Sequence, residues 1–288
     1  MKPVPLDRQA LDDHPLPPVI DGDKETKGRI LIVAGSRDVP GAALLAAHGA
    51  MRAGAGKLRI GTVESAATAL GMAMPEAMVF GFAQAQDGGF AGDAVEQMRA
   101  AAADVDAVVA GPGVKRGDVC KRMTDVLLET SAALALDVAF LRTLEPLHDR
   151  ELDRPSAPVL LPNAPELASL LDCDADAIER DPVGCGIRAA ELYCSVVLVK
   201  GVRSHVVTPD GECWMYDGGS PGLGVSGSGD VLAGIVGGLL ARGAEPLNAL
   251  LWAVWLHGEA GARLAKKVGP IGFLARDIAA EIPALLPR

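Results

Sequence analysis

Short apolar runs alternate with helix-like segments along the first part of the chain. The run GRILIVAGS at residues 28–36 is rich in β-branched side chains and ends in glycine and serine, which predicts a strand. Alanine and leucine dominate residues 41–56, and a glycine ends this predicted helix. KLRIGTV at residues 57–63 predicts the next strand. The connection is long enough for parallel pairing, so these three segments form a predicted β–α–β unit.

The same alternation continues to the C-terminus. The pattern predicts strands at 106–114, 131–138, 157–163 and 195–201, a hairpin at 205–216, helices at 120–130 and 165–172, and helical structure from Asp230 onward except at 269–272. Strands that are apolar on both faces and alternate with helices are typical of a mostly parallel sheet covered by helices on both faces. We therefore predict an α/β fold.

The chain divides into two predicted regions. The polar, proline-rich start favours an extended N-terminal arm over residues 1–27. No linker, repeat or charge run divides the remainder, so residues 28–288 are predicted to form a single domain. The 34 glycines are scattered among apolar segments, which indicates tight loops and close packing.

Charge and cysteine content argue against several classes of protein. A net charge of −10 disfavours nucleic-acid binding, which depends on lysine and arginine neutralising phosphates. The five cysteines form no C-x-x-C pair, so we expect neither a disulfide framework nor a structural zinc site, but reduced thiols in the cytoplasm. No apolar run approaches about 18 residues, so no membrane span is predicted.

Six polar or glycine-rich loops lie at one predicted edge of the sheet, where its strands end. They contain Gly35-Ser36, Gly111-Pro112-Gly113, Asp137, Pro162-Asn163, Lys200-Gly201, and Gly227 to Asp230. Open α/β sheets bind ligands beyond the carboxyl ends of their strands. We therefore predict one ligand site where these loops meet.

The residues alone leave two interpretations of the segment from Gly227 to Asp230 open. In the first, glycine and serine make a turn, and Asp230 stabilises the helix dipole. In the second, the amides of Gly227 to Gly229 bind a phosphate and Asp230 accepts a proton from an attacking hydroxyl. The chain contains no G-x-x-x-x-G-K-[ST] motif, so a P-loop is not expected.

Three other residues and one loop also have two interpretations. Lys200 could be a surface lysine, but the anion-hole candidate that follows about 30 residues later favours a phosphate contact. Asn163 after Pro162 is compatible with simple turn chemistry, and GPG at 111–113 with a plain turn. His257 is interpreted as a packing histidine rather than a base.

Six stretches together resemble the ADP/ATP-dependent NAD(P)H-hydrate dehydratase family. They are LIVAGSRDVPGAALLAAHGAMRAGAGKLRIGT, VVAGPGV, ALDVAFL, VLLPNAPELASLL, VVLVKGVRSHVVTPDG and SPGLGVSGSGDVLAGIVGGLLARG, in the family's order from residue 28 to about 282. The resemblance implies a ribokinase-like fold. It also implies removal of water from the S epimer of hydrated NADH or NADPH by phosphorylation of the C6 hydroxyl and loss of phosphate.

The resemblance also implies roles for individual residues. Asp230 would be the catalytic base and would contact the substrate. Nucleotide-binding positions would be Lys200, Gly201, Val202, Arg203, Ser204, Gly227, Ser228 and Gly229, and further substrate-binding positions would be Ala42, Ala43, Gly113 and Asn163. ADP or ATP would be the co-substrate, with Mg²⁺ bridging its phosphates and no metal ligand assigned to the protein. A homo-oligomer, and a separate epimerase in the same pathway, are further expectations.

Two departures from the family pattern keep alternatives open. Asn163 stands where the family has histidine, and Ala139 replaces the second acid of an L-D-A-D segment. One alternative is a ribokinase-like kinase of a small vitamin-precursor alcohol of the hydroxymethylpyrimidine or thiazole type. Another is a nucleotide-binding protein that has lost catalysis. The choices between ADP and ATP, and between hydrated NADH and NADPH, are not predicted.

Overall fold

One ten-stranded sheet runs through the protein. The computed structural model describes residues 2–18, 24, 26–150 and 154–287. The strands are β1 (Val4–Pro5), β2 (Arg29–Val33), β3 (Lys57–Val63), β4 (Ala77–Phe82), β5 (Ala107–Ala110), β6 (Ala133–Leu136), β7 (Val159–Leu160), β8 (Val196–Val199), β9 (Ser204–Val207) and β10 (Cys213–Tyr216). Their order is β1-β10-β9-β8-β7-β6-β5-β2-β3-β4. Only β9 runs antiparallel to its neighbours, so the predicted, mostly parallel sheet is confirmed.

Helices surround this sheet. They are α1 (Arg8–Asp12), α2 (Gly41–Arg52), α3 (Glu64–Ala73), α4 (Ala94–Ala102), α5 (Asp118–Leu128), α6 (Val138–Leu141), α7 (Ala164–Leu171), α8 (Ala175–Arg180), α9 (Pro182–Leu192), α10 (Ser228–Ala241), α11 (Pro246–Lys267) and α12 (Ala275–Glu281). Every residue of β5 and β8 is buried. Because successive strand residues point to opposite faces, both faces of the sheet centre are covered. No described helix is long and apolar enough to cross a bilayer.

Helices α2 and α10 approach each other closely because small residues line their contact. A Cβ atom on Gly234 would lie 2.0 Å from the carbonyl oxygen of Ala46, and one on Gly238 would lie 2.5 Å from that of Ala50. A Cβ atom on Gly237 would lie 2.2 Å from a Cγ atom of Val109 in β5. Larger residues at these positions would push α10 off the sheet. The glycines of α10 therefore serve close packing, as predicted. They let α10 lie against the sheet with its N-terminus at the carboxyl ends of the strands.

The described part of the N-terminal segment differs from the predicted extended arm. Strand β1 adds to the sheet edge beside β10, with Val4 opposite Trp214. Leu11 in α1 is fully buried, and the indole nitrogen of Trp252 donates to the carbonyl oxygen of His14 at 2.8 Å. The alternating pattern there is too short to reveal that these residues join the core. Residues 19–23 and 25 of this segment lie outside the described residues.

Several element boundaries also differ from the predictions. Strand β5 ends at Ala110 because Gly111 takes a positive φ of 134°, and β6 ends before Asp137, which begins the short helix α6. Strand β4 and helices α3, α4, α8 and α9 were absent from the sequence-based prediction. The hairpin predicted at 205–216 is confirmed as β9 and β10.

Candidate functional site

The loops at the carboxyl edge of the sheet meet at a buried ion pair. The ammonium of Lys200, after β8, lies 2.9 Å from the Oδ1 atom of Asp137, after β6. The Asp137 side chain is 2% exposed and that of Lys200 21%. Nearby, the amide of Gly35 donates to the carbonyl oxygen of Pro112 at 2.8 Å, which joins the loops after β2 and β5. The structure thus brings together loops that are far apart in sequence.

The glycine-rich turn before α10 presents backbone amides to this edge. Gly227 is the N-cap with φ 89°, and a Cβ atom there would lie 2.4 Å from Leu45, so only glycine fits. The amide of Ser228 already donates to the carbonyl oxygen of Val225 at 3.2 Å. Within the described part of the chain, the amides of Gly227 and Gly229 are left to bind an anion, reinforced by the helix dipole.

Asp230 lies in the first turn of α10, half-buried beside the ion pair. Burial and, to a smaller extent, the charge of Asp137 raise its pKa, and Lys200 lowers it; together they bring the pKa to about 6. A carboxylate with a pKa near 6 is ionised at neutral pH and is more basic than an ordinary aspartate. It can therefore accept a proton from a bound hydroxyl.

Asp137 is held in an unusual local conformation. The residue after it, Val138, has a φ of 45°, a left-handed conformation that β-branched side chains rarely adopt. The Val138 amide donates to the Asp137 Oδ1 atom at 3.1 Å, the same oxygen that Lys200 contacts. Burial raises the pKa of Asp137, whereas the ammonium of Lys200 lowers it. Asp137 was predicted from the sequence to lie at the site but without a role, although an acid directly after a buried strand is a usable signal.

His257, interpreted from sequence as a packing histidine, contacts the glycine-rich turn before α10. Its Nε2 atom lies 3.0 Å from the Ser228 hydroxyl oxygen and 3.2 Å from the Ser228 carbonyl oxygen. Burial lowers its pKa to about 4, so the ring is neutral at physiological pH. It thus supports the start of α10 without adding charge there.

Asn163 forms a capping box at the start of α7. Its side-chain oxygen accepts from the Glu166 amide at 2.9 Å, and the Glu166 carboxylate accepts from the Asn163 amide at 3.0 Å. This geometry satisfies the turn-chemistry interpretation and leaves the side-chain NH₂ group to face a ligand. The backbone amide of Lys200 donates a hydrogen bond to the Pro162 carbonyl oxygen at 3.1 Å, which connects the loop of Asn163 to that of Lys200.

The remaining predicted positions lie on two sides of the ion pair. Gly201, Val202 and Arg203 form the exposed turn into β9, where Arg203 pairs with Asp217 at 3.1 Å and Ser204 opens the strand. On the other side, Ala42 and Ala43 are buried in the first turn of α2. A Cβ atom on Gly113, φ 64°, would lie 2.5 Å from the Cβ atom of Ala42, so these two residues are brought into contact.

A divalent cation would have to share its coordination with a ligand. The described residues contain no group of three or more histidine, cysteine or acidic side chains arranged to hold a metal ion. Mg²⁺ usually binds nucleotide phosphates and only one or two carboxylates. Asp137 and Glu166 are two buried carboxylates at this edge, and the contacts of Asp137 with Lys200 and Val138 use only its Oδ1 atom, so one oxygen of each acid could serve such an ion together with the phosphates.

The protein has a ribokinase-like α/β fold, because it superposes on a ribokinase-like superfamily protein of Enterococcus faecalis with a TM-score of 0.82, at 24% identity, covering 98% of this chain and 94% of that one. A family model described as NAD(P)H-hydrate dehydratase matches residues 30–284. The chain belongs to this family, which confirms the resemblance inferred from its motifs.

Individual relatives agree with this assignment. The chain is 43% identical over 280 residues to the ADP-dependent (S)-NAD(P)H-hydrate dehydratase of Xanthomonas campestris pv. campestris, covering 97% of this chain and 94% of that one. It is 32% identical to the bifunctional NAD(P)H-hydrate repair enzyme Nnr of Moorella thermoacetica, covering 92% of this chain and 50% of that one. The crystal structure of the ADP/ATP-dependent NAD(P)H-hydrate dehydratase of Bacillus subtilis with ATP/Mg²⁺ superposes with a TM-score of 0.86, at 26% identity, covering 99% and 98% of the two chains.

Proposed function

We propose that this chain removes water from the S epimer of hydrated NADH or NADPH, with ADP or ATP as co-substrate. Family membership supports the reaction class. The observation that carries the proposal is the Asp230 carboxylate, whose pKa of about 6 suits a general base, at the start of a helix whose free amides can hold a phosphoryl group.

Asp230 accepts the proton of the substrate's C6 hydroxyl. The hydroxyl oxygen then attacks the terminal phosphorus of the nucleotide, and the bond from that phosphorus to the leaving nucleotide breaks. Burial makes Asp230 a stronger base than an exposed aspartate, yet leaves it ionised near neutral pH. This step converts hydroxide, a poor leaving group, into phosphate, a good one.

Backbone amides and Lys200 stabilise the charge that develops on the phosphoryl group. The amides of Gly227 and Gly229 and the dipole of α10 supply fixed positive potential. Lys200, held by Asp137, supplies a positioned ammonium. Bound Mg²⁺, held by Asp137 and Glu166 with the phosphates, would neutralise further phosphate charge.

The second step restores the reduced nicotinamide. The C6–O bond breaks and phosphate leaves with its electron pair, assisted by the lone pair of the ring nitrogen. Loss of a proton from C5 then forms the C5–C6 double bond. No oxidant or reductant is required, because the hydrated ring already carries the electrons of NADH.

The binding roles follow the two sides of the site. We assign the nucleotide to Lys200, Gly201, Val202, Arg203 and Ser204, together with the turn of Gly227, Ser228 and Gly229. We assign the hydrated nicotinamide to Ala42, Ala43, Gly113 and Asn163, next to Asp230. The contact between Gly113 and Ala42 and the exposed turn at 201–203 support this division.

The proposal includes a cellular setting. We propose a cytoplasmic homo-oligomer that works with a separate epimerase, which would convert the R epimer into its substrate. Free cysteines support a reducing compartment, because Cys120, Cys173, Cys185, Cys194 and Cys213 are all unpaired. The bifunctional repair enzyme of Moorella thermoacetica supports the link to a second repair activity.

A spectroscopic assay tests the proposed reaction. The purified protein is mixed with hydrated NADH and either ADP or ATP, and the return of the near-ultraviolet absorbance of reduced nicotinamide is followed. We expect absorbance to return only when nucleotide is present. Consumption of nucleotide with a hydroxymethylpyrimidine or thiazole alcohol, and none with hydrated NADH, would instead identify a vitamin-precursor kinase.

A further inference from the structure

An open cavity of about 460 Å³ lies beyond the ends of β3 and β4. It is lined by Arg37, Glu64, Ser65, Gln84, Ala85 and Gln86. These residues follow β2, β3 and β4, so the cavity opens at the same edge of the sheet as Asp230. Its volume lies in the range of small-molecule sites, and neither the fold nor the phosphoryl chemistry described above requires it.

Hydrogen bonds fix the wall of this cavity. The loop after β4 forms a tight hairpin in which the Ala85 amide donates to the Gly89 carbonyl oxygen at 2.9 Å. The Gln84 side-chain oxygen accepts from the Ser65 hydroxyl at 2.6 Å and from the Ser65 amide at 3.2 Å. Because that oxygen is engaged, the NH₂ group of Gln84 is left to donate to a ligand.

Arg37 places a positive charge at the rim. Its guanidinium donates to the carbonyl oxygens of Gln86 at 3.2 Å and Asp87 at 3.4 Å, and the side chain is 49% exposed. Lys115, after β5, donates to the same Asp87 carbonyl oxygen at 2.5 Å. The Nε atom of Arg37 also lies 3.5 Å from the Asp38 Oδ1 atom. A guanidinium has five N–H donors in a planar fork, so these contacts fix the position of Arg37 and leave two N–H donors for a phosphate.

The loop that carries Arg37 lies next to the substrate side of the site. Arg37 follows Gly35, whose amide binds the GPG loop, and its own amide donates to the Gly88 carbonyl oxygen at 3.0 Å. From Asp137 at the end of β6, strands β5 and β2 lead to β3. Three strand spacings are roughly 14 Å, a distance that an extended dinucleotide can bridge.

The structure of the substrate also favours a ligand at this cavity. The proposed function puts the nicotinamide beside Asp230 and the nucleotide co-substrate toward the turn after β8. The other half of the dinucleotide therefore extends along the edge the opposite way, toward β2, β3 and β4. Arg37 can bind a phosphate there, while Glu64 offers a carboxylate of the kind that accepts hydrogen bonds from ribose hydroxyls.

We propose that this cavity binds the adenosine monophosphate half of the hydrated dinucleotide, with Arg37 holding one of its phosphates. This inference rests on the proposed function, because it takes the substrate to be a dinucleotide. Arg37 is thereby a binding residue that acts on substrate affinity and leaves the chemical steps unchanged.

Steady-state kinetics of the Arg37→Gln variant test this assignment. The two substrates are hydrated NADH and hydrated, reduced nicotinamide mononucleotide, which lacks the adenosine monophosphate half. We expect KM for hydrated NADH to rise about tenfold with kcat unchanged, as for the loss of one charge-assisted hydrogen bond. KM for the mononucleotide should stay the same. Arg99→Gln, with a similarly exposed side chain (46%) on α4, is the matched control and should change neither value.

A third substrate separates the two phosphate groups that Arg37 could hold. An equal effect on hydrated NADH and hydrated NADPH places Arg37 at the pyrophosphate, and a larger effect on hydrated NADPH places it at the 2′-phosphate. Both results support the subsite. An equal change for the dinucleotides and the truncated substrate, or no change for any of the three substrates, would overturn it.

A binding measurement keeps this test independent of the proposed reaction. Failure of the wild-type protein to turn over any hydrated substrate would refute the function but not the subsite. Calorimetry then compares the binding of NADH and of NADPH to the wild-type and Arg37→Gln proteins with ADP at saturation, so that the nucleotide site is filled. About tenfold weaker binding of either dinucleotide by the variant supports the subsite, and equal affinity for both contradicts it.

Discussion

Two sides of the same sheet edge differ in how far their charged side chains are exposed to water. On the phosphoryl side, formed by the loops after β6, β7 and β8 and the start of α10, Asp137 is 2% exposed and Lys200 21%. On the open side, formed by the loops after β2, β3 and β4, Arg37 is 49% exposed. Buried charges have strong fields and shifted pKa values, whereas exposed charges are screened by water. The phosphoryl side is therefore suited to chemistry and the open side to recognition.

Removing the proposed base on the phosphoryl side should have the largest effect of all, and that effect should be on kcat. For Asp230→Asn we expect kcat to fall by about 10³, because a general base contributes roughly 10² to 10⁴. Nucleotide binding should stay within a few-fold, since the amide-lined turn remains. Kinetics and calorimetry with ADP measure the two quantities. Asp118→Asn, which changes the first-turn acid of α5, is the control and should behave as wild type.

Breaking the ion pair between Lys200 and Asp137 should have the largest effect on the stability of the protein. Lys200→Met leaves Asp137 buried without its cation, and we expect the free energy of unfolding to fall by about 3 kcal/mol. Urea unfolding near pH 8 gives this value. The double variant Lys200→Met/Asp137→Asn removes both charges and should recover most of the loss. If the single and double variants are equally unstable, the pair does not act as a unit.

Ionisation of Asp230 should raise activity and lower the stability of the protein as the pH increases. The pKa of Asp230 is raised from 3.8 to about 6, so kcat/KM should fall about tenfold per pH unit below 6 as the base is protonated. Between pH 4 and 6 the native state binds a proton that the unfolded state has released, so Asp230 lowers stability as pH rises through this window. Asp230→Asn should therefore be about 2 kcal/mol more stable than wild type at pH 8, with a smaller difference below pH 4. Equal stability at both pH values would argue against the raised pKa.

The smallest expected effect comes from the backbone beside Asp137. Val138 has a φ of 45°, and such a conformation costs a β-branched residue about 1–3 kcal/mol. Val138→Gly should raise the free energy of unfolding by about 1 kcal/mol after the cost of ordering a glycine. Val138→Asn, which tolerates this conformation and keeps a side chain, should also stabilise the protein. Destabilisation by both variants in thermal unfolding would show that the valine side chain outweighs the strain.

The apolar pattern predicted the centre of the sheet and the loops that form the phosphoryl side. Strands β2, β5, β6 and β8 are buried on both faces and therefore appear as continuous apolar runs. The motif carrying Asp230 was recognisable because glycine, serine and acid stand together before an apolar helix. The family of the protein followed from these motifs and was confirmed by comparison.

The open side could not be predicted in the same way. Strand β4 is only partly buried, so its pattern AMVFGF did not separate it from its surroundings. Arg37 is one charge in a polar loop, and its significance depends on a hairpin far along the chain. The contact of His257 with Ser228 likewise joins two helices that only the tertiary fold brings together. Long-range contacts of this kind leave no local signal.

A comparison of Asp230→Asn and Arg37→Gln in one assay tests the division between the two sides most directly. Both variants are assayed with hydrated NADH at saturating ADP, and kcat and KM are determined separately. We predict that Asp230→Asn loses kcat by about 10³, whereas Arg37→Gln keeps kcat and raises KM about tenfold. Retention of kcat by Asp230→Asn, or a comparable loss of kcat in Arg37→Gln, would contradict the account.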